Sequence, residues 1–301
     1  MIKEISFNQK YEAPVVLCLG RFECLHNGHK MIISRAVSAA KKLGAEVAVM
    51  TFDADFTRKT GVILNYEERK RMLETLGVSL VLHIVFDDTF KNLTKEEFLA
   101  TLKNSLNLKA VCSGFDFCFG YMRGGDVDYL KSFFKGEAEV SVTDKVDYKG
   151  EKISATRIKD ELLLGNIESA NQMLGYPYFF EGIVKKGREE GRNLGFPTAN
   201  VVFPTEKVMP KQGVYITRVT VRGDSFPAIT NIGSAPTFGV DKILTESYLI
   251  GFSSDIYGEP IKVEIMDFLR DIRRFSSINE LKEELKSNEL AAINYFKNGA
   301  K

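Results

Sequence analysis

Along the first half of the chain, apolar residues fall into short unbroken runs separated by stretches of helical spacing. Val15 to Leu19 and Glu46 to Phe52 have the character of strands buried on both faces of a parallel sheet, and between them Ile33, Val37 and Ala40 recur at helical spacing. One strand, helix, strand unit results. The alternation continues with a helix predicted from Glu67 to Leu76, a capping box of Thr94 with Glu97 opening a helix through Leu102, and Asp126 preceding a helix over Val127 to Phe134. Val78 to Phe86, Lys109 to Cys112 and Glu139 to Val146 are the strands between them, and His83 within the first is expected to be structural. To about residue 165 this order predicts an α/β fold, a Rossmann-like domain on a doubly wound parallel sheet. After the helical signal of Ile167 to Leu174, Gly175-Tyr176-Pro177 interrupts it and strict alternation takes over. Val214, Ile216 and Thr217 to Val221, then Ile261, Val263 and Ile265 against Lys262 and Glu264, predict a small antiparallel β-barrel. Ser277 with Glu280 forms a second capping box, and Ile278, Leu281 and Leu285 share a helical face that would close the barrel. Two domains are expected, residues 1–175 and 176–301.

Length and charge narrow the class of protein. At 301 residues the chain exceeds the size at which single cores stop growing, which supports two domains. Lysine plus arginine total 41 against 40 for aspartate plus glutamate, so the chain lacks the basic footprint of a nucleic-acid binder. No apolar stretch approaches the roughly 18 residues of a membrane span, and Met-Ile-Lys-Glu-Ile at the start has no signal-peptide pattern. A cytoplasmic protein with neither nucleic acid nor membrane as partner is expected. Cys18, Cys24, Cys112 and Cys118 have neither the close pairs of a zinc site nor the density of a disulfide scaffold, so reduced thiols are expected.

Candidate chemistry begins at His26-Asn27-Gly28-His29, which follows the first strand and Gly20 and opens the first helix. A helix N-terminus offers orphan N–H groups and the positive end of its dipole to a phosphate; Gly28 lets the backbone approach, and two imidazoles add donors. A nucleoside triphosphate site is one reading of this motif, and histidines that only cap the helix or satisfy a core hydrogen bond are the other. Gly114-Phe115-Asp116-Phe117-Cys118-Phe119-Gly120, with Arg123, Gly124 and Gly125, reads either as an aromatic loop for a flat ring near phosphate or as a hydrophobic hairpin. Ile153 to Lys159 then puts Ser154 and Thr156 at a helix start with Arg157 and Lys159 in its first turn. Cations oppose the dipole there, and a phosphate would account for them.

Together, Gly20 to His29, Gly114 to Gly125 and Ile153 to Lys159 resemble the adenylyltransferase module of the bacterial bifunctional riboflavin kinase and FAD synthetase family. The resemblance implies catalytic roles for His26 and His29. It puts Gly20, Phe22, Gly28, Asp116, Ser154, Thr156, Arg157 and Lys159 at the nucleotide and its phosphates, and Phe117 and Phe119 at the flavin. Departures are Arg21-Phe22-Glu23-Cys24, where the family usually reads Asn-Phe-Asp-Gly, and Ala155, where it usually has serine.

In the second half, Gly182, Gly187 and Gly191 lead into Arg192-Asn193-Leu194-Gly195-Phe196-Pro197-Thr198-Ala199-Asn200, followed by Asn231-Ile232-Gly233 and Pro236-Thr237-Phe238-Gly239. This set is similar to riboflavin kinase. By that resemblance Thr198 and Asn200 hold magnesium with the ATP phosphates, Gly187, Arg192 and Gly195 bind nucleotide, Glu246 is the base, and Arg270 and Arg274 border the flavin. Tyr248 stands where a histidine is usual and Ile272 where an acid is usual. The implied activity is phosphorylation of riboflavin to FMN and adenylylation of FMN to FAD, with Mg2+ as cofactor and ATP as co-substrate. An adenylyltransferase with another acceptor and a flavin-sensing binding protein are the alternatives.

Overall fold

The computed structural model describes residues 2–52, 61–187, 195–234 and 243–299. It divides into two compact units, Met1–Ala155 and Thr156–Lys301.

The first unit runs β1 (Lys3–Ser6), β2 (Tyr11–Leu19), α1 (Asn27–Leu43), β3 (Glu46–Phe52), α2 (Tyr66–Thr75), β4 (Leu80–Ile84), α3 (Asp88–Lys91), α4 (Lys95–Ser105), β5 (Leu106–Gly114), a 3-10 turn at Tyr121–Arg123, α5 (Val127–Phe133), β6 (Glu139–Thr143) and the hairpin β7 (Asp147–Tyr148) and β8 (Glu151–Lys152). Six strands form a parallel sheet in the order β1-β4-β3-β2-β5-β6. Val15 to Leu19 are buried throughout, because neighbouring strands and layers cover both faces of this central strand. From β2 the chain winds one way through β3 and β4, then returns to lay β5 against the other side of β2. The crevice at the carboxyl ends of β2 and β5 is therefore the switch point, where open α/β sheets bind ligands. Both motif loops of this half leave from those two strand ends.

The second unit runs α6 (Ala155–Leu164), α7 (Ile167–Leu174), β9 (Tyr178–Ile183), β10 (Thr198–Val202), β11 (Gly213–Val221), β12 (Asp224–Ser234), β13 (Ile243–Leu249), β14 (Pro260–Arg270) and α8 (Ile278–Asn298). Its antiparallel sheet has the order β10-β13-β12-β11-β14-β9 and curls until the edges meet at a bridge, where Lys185 N donates to Asn200 O at 2.7 Å. Inside, the hydroxyls of Thr217, Thr230 and Ser247 bond in a chain, which satisfies polar groups the core would otherwise strand. The division falls earlier in the chain than the expected 175/176 boundary. Asn171 ties α7 to Ile265 O and Tyr178 N, and Lys211 N donates to Leu162 O in α6.

Helix α8 also differs from expectation. Its cap is half of a box, since Ser277 Oγ accepts from Glu280 N while the Glu280 carboxylate turns to Ser276. Ile278 is exposed, and the packing lies further on, where Ala292 meets Val214, Ile216 and Ile229. Among the described residues no helix is long and apolar enough to cross a membrane.

Candidate functional site

Between β2 and α1 the backbone turns through Phe22 at φ 48° and Leu25 at φ 46°, conformations that cost non-glycine residues roughly 1–3 kcal/mol each. Complete burial of both side chains offsets that strain. Gly20 leaves room for the turn, since a Cβ there would stand 2.9 Å from the Phe22 ring. The chain then delivers His26 as the N-cap of α1, where its Nδ1 accepts from the His29 backbone N–H at 3.2 Å. Because Nδ1 accepts, the proton of the neutral ring sits on Nε2. The His26 ring lies over Gly28, where an added Cβ would be 3.1 Å from its Cε1, and stacks on His29 with centroids 3.7 Å apart and planes 8° from parallel.

Burial pushes the His26 pKa down to about 4, with Lys152 adding to the effect and Asp116 opposing it. His29 is held well below the usual range by burial, then by His26, Arg69 and Lys152. Two imidazolium ions in this stack would repel each other in a poor solvent for charge. At neutral pH both rings are therefore uncharged donors and acceptors, and among the described residues Nδ1 of His29 is buried with no hydrogen-bond partner.

Asp116 follows the end of β5 and pairs with Lys152 on β8, whose ammonium also sits 4.9 Å from the Phe115 ring centroid. The base of the β7–β8 hairpin, where Ile153 N donates to Val146 O, lies beside Gly28: Val146 Cβ would be 3.9 Å from a Cβ added there. Gly20, Phe22, His26, Gly28, His29 and Asp116 thus gather at the switch point, together with Lys152 and Arg69, which the sequence reading missed. Arg69 carried a signal, a cation on the buried face of α2, where its Nη2 donates to Phe52 O at 2.7 Å. Lys152 carried none beyond preceding the Ile153 to Lys159 segment.

The aromatic loop has the hairpin pairing of one of its two readings. Phe119 and Gly125 form an antiparallel bridge, and Phe119 packs into the core on Phe98 at 5.1 Å, leaving Phe117 half-buried above it at 5.5 Å. Phe119 is therefore the floor beneath Phe117. Ser154 immediately precedes α6, while Thr156, Arg157 and Lys159 lie in its first turns within the second unit.

In the barrel, strand register creates the second cluster. Asn200, Glu246 and Asn231 are direct partners across β10, β13 and β12, so their side chains share a face. Asn200 Nδ2 donates to Thr198 O at 3.3 Å, whereas among the described residues Oδ1 of Asn200 and Oδ1 of Asn231 are buried without a partner. Each unmet acceptor costs about 1–3 kcal/mol. Oxygen donors beside a carboxylate suit a hard cation such as magnesium. Gly187 is required here because an added Cβ would stand 2.5 Å from Asn200 Nδ2, and Gly195 adopts φ 90°. A cavity of about 210 Å³ opens beside Thr198 and Asn200, lined also by Val184, Phe252, Asp255 and Tyr257. Glu246 is exposed on this face, and Asn231 of the Asn231-Ile232-Gly233 motif joins the row without a role predicted from the sequence.

Arg192 lies outside the described residues, as do Gly191 and the Pro236 to Gly239 segment. Arg270 is engaged by the Glu284 carboxylate of α8 at 2.6 Å and faces the Phe275 ring, while Arg274 is exposed beyond β14. Tyr248 donates to Glu289 Oε1 at 3.1 Å, so the residue in place of a histidine is tied to the same helix.

Known proteins resemble this chain. The FAD synthetase family model matches residues 8–157, and the riboflavin kinase family model matches residues 174–296. A bifunctional riboflavin kinase/FMN adenylyltransferase of Bacillus subtilis (strain 168) is 33% identical over 297 residues, covering 95% of this chain and 94% of that protein. One from Escherichia coli (strain K12) is 31% identical over 300 residues, covering 97% and 96%. A solved structure from Streptococcus pneumoniae, described as a macrolide-efflux protein, matches with a TM-score of 0.89 at 33% identity, covering 97% of this chain and 99% of that one. With two family models in tandem and relatives above 30% identity along nearly the whole length, the chain belongs to the bifunctional riboflavin kinase/FMN adenylyltransferase family.

Proposed function

We propose that this chain phosphorylates riboflavin to FMN in the barrel and adenylylates FMN to FAD at the switch point, using ATP in both steps. One observation carries the reading: the two sites differ as the two reactions require, with a carboxylate at one and two uncharged imidazoles at the other.

In the kinase step the nucleophile is the 5′-hydroxyl of the ribityl chain, a poor attacker until its proton is accepted. Glu246 is the acceptor. Thr198 and Asn200 would hold magnesium, with Asn231 Oδ1 on the same face and the unmet Asn200 Oδ1 as the donor that fits it. When bound, magnesium neutralises charge on the transferring phosphoryl group. Gly187 and Gly195 keep backbone close to the nucleotide, with Arg192 as a further contact, and Arg274 borders the flavin. Arg270, engaged by Glu284, orients that border.

In the adenylyl step the nucleophile is the FMN phosphate, already anionic at neutral pH, so no general base is needed. Donors are needed instead. His26 Nε2–H and the His29 ring steady charge growing on the α-phosphate, aided by the N-terminus of α1. Lys152 adds a cation. Asp116 positions Lys152, and Phe117 offers a ring face to the flavin.

Purified protein given riboflavin, ATP and Mg2+ is expected to form FMN and then FAD, resolved by chromatography. No FMN would remove the kinase reading; no FAD from supplied FMN would remove the other.

A further inference from the structure

The linear spacing Cys24-Leu25-His26 with His29 has no zinc-site pattern, but the left-handed backbone at Leu25 folds the thiol back onto the histidine pair. Cys24 Sγ and one ring nitrogen each from His26 and His29 lie within 4.8 Å of one another. We propose that Cys24, His26 and His29 form a binding site for a borderline-soft divalent cation of the zinc class, and that its occupation blocks adenylyl transfer.

The donor set argues for this cation class. One thiolate and two imidazoles suit zinc and not magnesium, which takes oxygen. Three protein ligands would leave a fourth position open, as in zinc sites that bind exchangeable ligands. A second, independent observation is the buried Nδ1 of His29, a polar ring nitrogen with no hydrogen-bond partner among the described residues. Zinc bonds of about 2.3 Å to sulfur and 2.0–2.1 Å to nitrogen at tetrahedral angles need donors roughly 3.5 Å apart, a small contraction from the observed spread. Cys24 releases its thiol proton to solvent as the S–Zn bond forms.

Capture has a structural consequence. In the stacked pair the in-plane lone pairs point into parallel planes, so one ring must turn for both to reach a single ion. The His26 Nδ1 cap bond is lost as well, because coordination through Nδ1 uses its lone pair and coordination through Nε2 places the proton on Nδ1. Both donors are thereby withdrawn from phosphate. Cation binding stands by itself, whereas the block rests on the adenylyl roles proposed for His26 and His29.

The test uses the full-length protein. Cobalt(II), a coloured stand-in for zinc, is titrated with no nucleotide present, and the thiolate-to-cobalt charge-transfer band is followed in wild type, Cys24→Ser and Cys24→Ala. Expected is one ion per chain with a band that zinc displaces and both variants lose. No band, or a band that survives both substitutions, overturns the site. In parallel, FAD formation from FMN and FMN formation from riboflavin are measured with Mg2+ while zinc is raised, each variant being compared with its own zinc-free rate. Expected is at least a tenfold fall in FAD formation in wild type, reversed by chelator and absent from the variants, with FMN formation unchanged. Inhibition that persists in Cys24→Ser, or zinc binding through Cys24 with full FAD formation, overturns the block. A wild-type protein that makes no FAD even without zinc overturns the adenylyl reading instead, and the band alone then decides the site.

Discussion

Two glycines do matching work at the two sites, each making room for one polar side chain. Gly28 supports the His26 ring, and an alanine there would place Cβ 3.1 Å from Cε1. The ring can shift by tenths of an ångström, so Gly28→Ala is expected to lower FAD formation from FMN about tenfold, equivalent to roughly 1.4 kcal/mol of barrier. Phosphorylation of riboflavin should be unchanged in the same preparation. Gly187 is less forgiving, with its added Cβ only 2.5 Å from Asn200 Nδ2. Gly187→Ala should displace Asn200 and reduce FMN formation by more than tenfold while sparing adenylylation, read by supplying each substrate separately. Residue identity alone revealed the histidines, because four consecutive positions at a helix start are neighbours by chain geometry. Lys152 and Arg69 stayed hidden because β8 and α2 reach the histidines through tertiary packing.

At the scale of elements, α2 shows how a cap serves a site some distance along the helix. Asn65 accepts from Glu68 N at 2.9 Å while Glu68 accepts from Asn65 N at 2.9 Å, which fixes the start of the helix that carries Arg69. Replacing Asn65 with alanine should cost about 1 kcal/mol of stability in urea unfolding. An unchanged midpoint would show that packing alone sets α2. The box of Thr94 with Glu97 was legible in the sequence and is found at α4, since both partners are local. The Ser277 box was legible only by half: Glu280 had a competing donor in Ser276, one residue upstream. Strand β1 was not legible, because Lys3–Ser6 buries only Ile5 and leaves no apolar run; its parallel pairing with β4 forms it. His83 on β4, 3.7 Å from Glu4 of β1, fits the structural role expected of it.

For the molecule as a whole, the two sites should fail separately. Glu246→Gln is expected to abolish FMN formation with adenylylation intact, and His29→Ala to do the converse; equal loss of both products from either variant would contradict two independent sites. Stability should carry the signature of the buried imidazoles. Their native pKa values lie below the unfolded value near 6.5, so the unfolded chain takes up protons first as pH falls. The stabilisation is complete above about pH 6.5 and is lost toward pH 4, the native value of His26, at up to about 1.4 kcal/mol per pH unit for each ring. Urea midpoints measured from pH 7 to pH 5, above most carboxylate titration, should fall in wild type and fall less in His29→Gln. The sequence by itself determined the doubly wound α/β half, the alternating barrel half and the motif residues His26, His29, Thr198 and Asn200, because periodicity and local spacing act over a few residues. Only the tertiary structure decided that the His26 proton sits on Nε2, that Asn231 joins Asn200 and Glu246 in one row, and that Cys24 meets the histidines. Those facts depend on burial, strand register and one left-handed turn, which bring together groups that the linear order keeps apart.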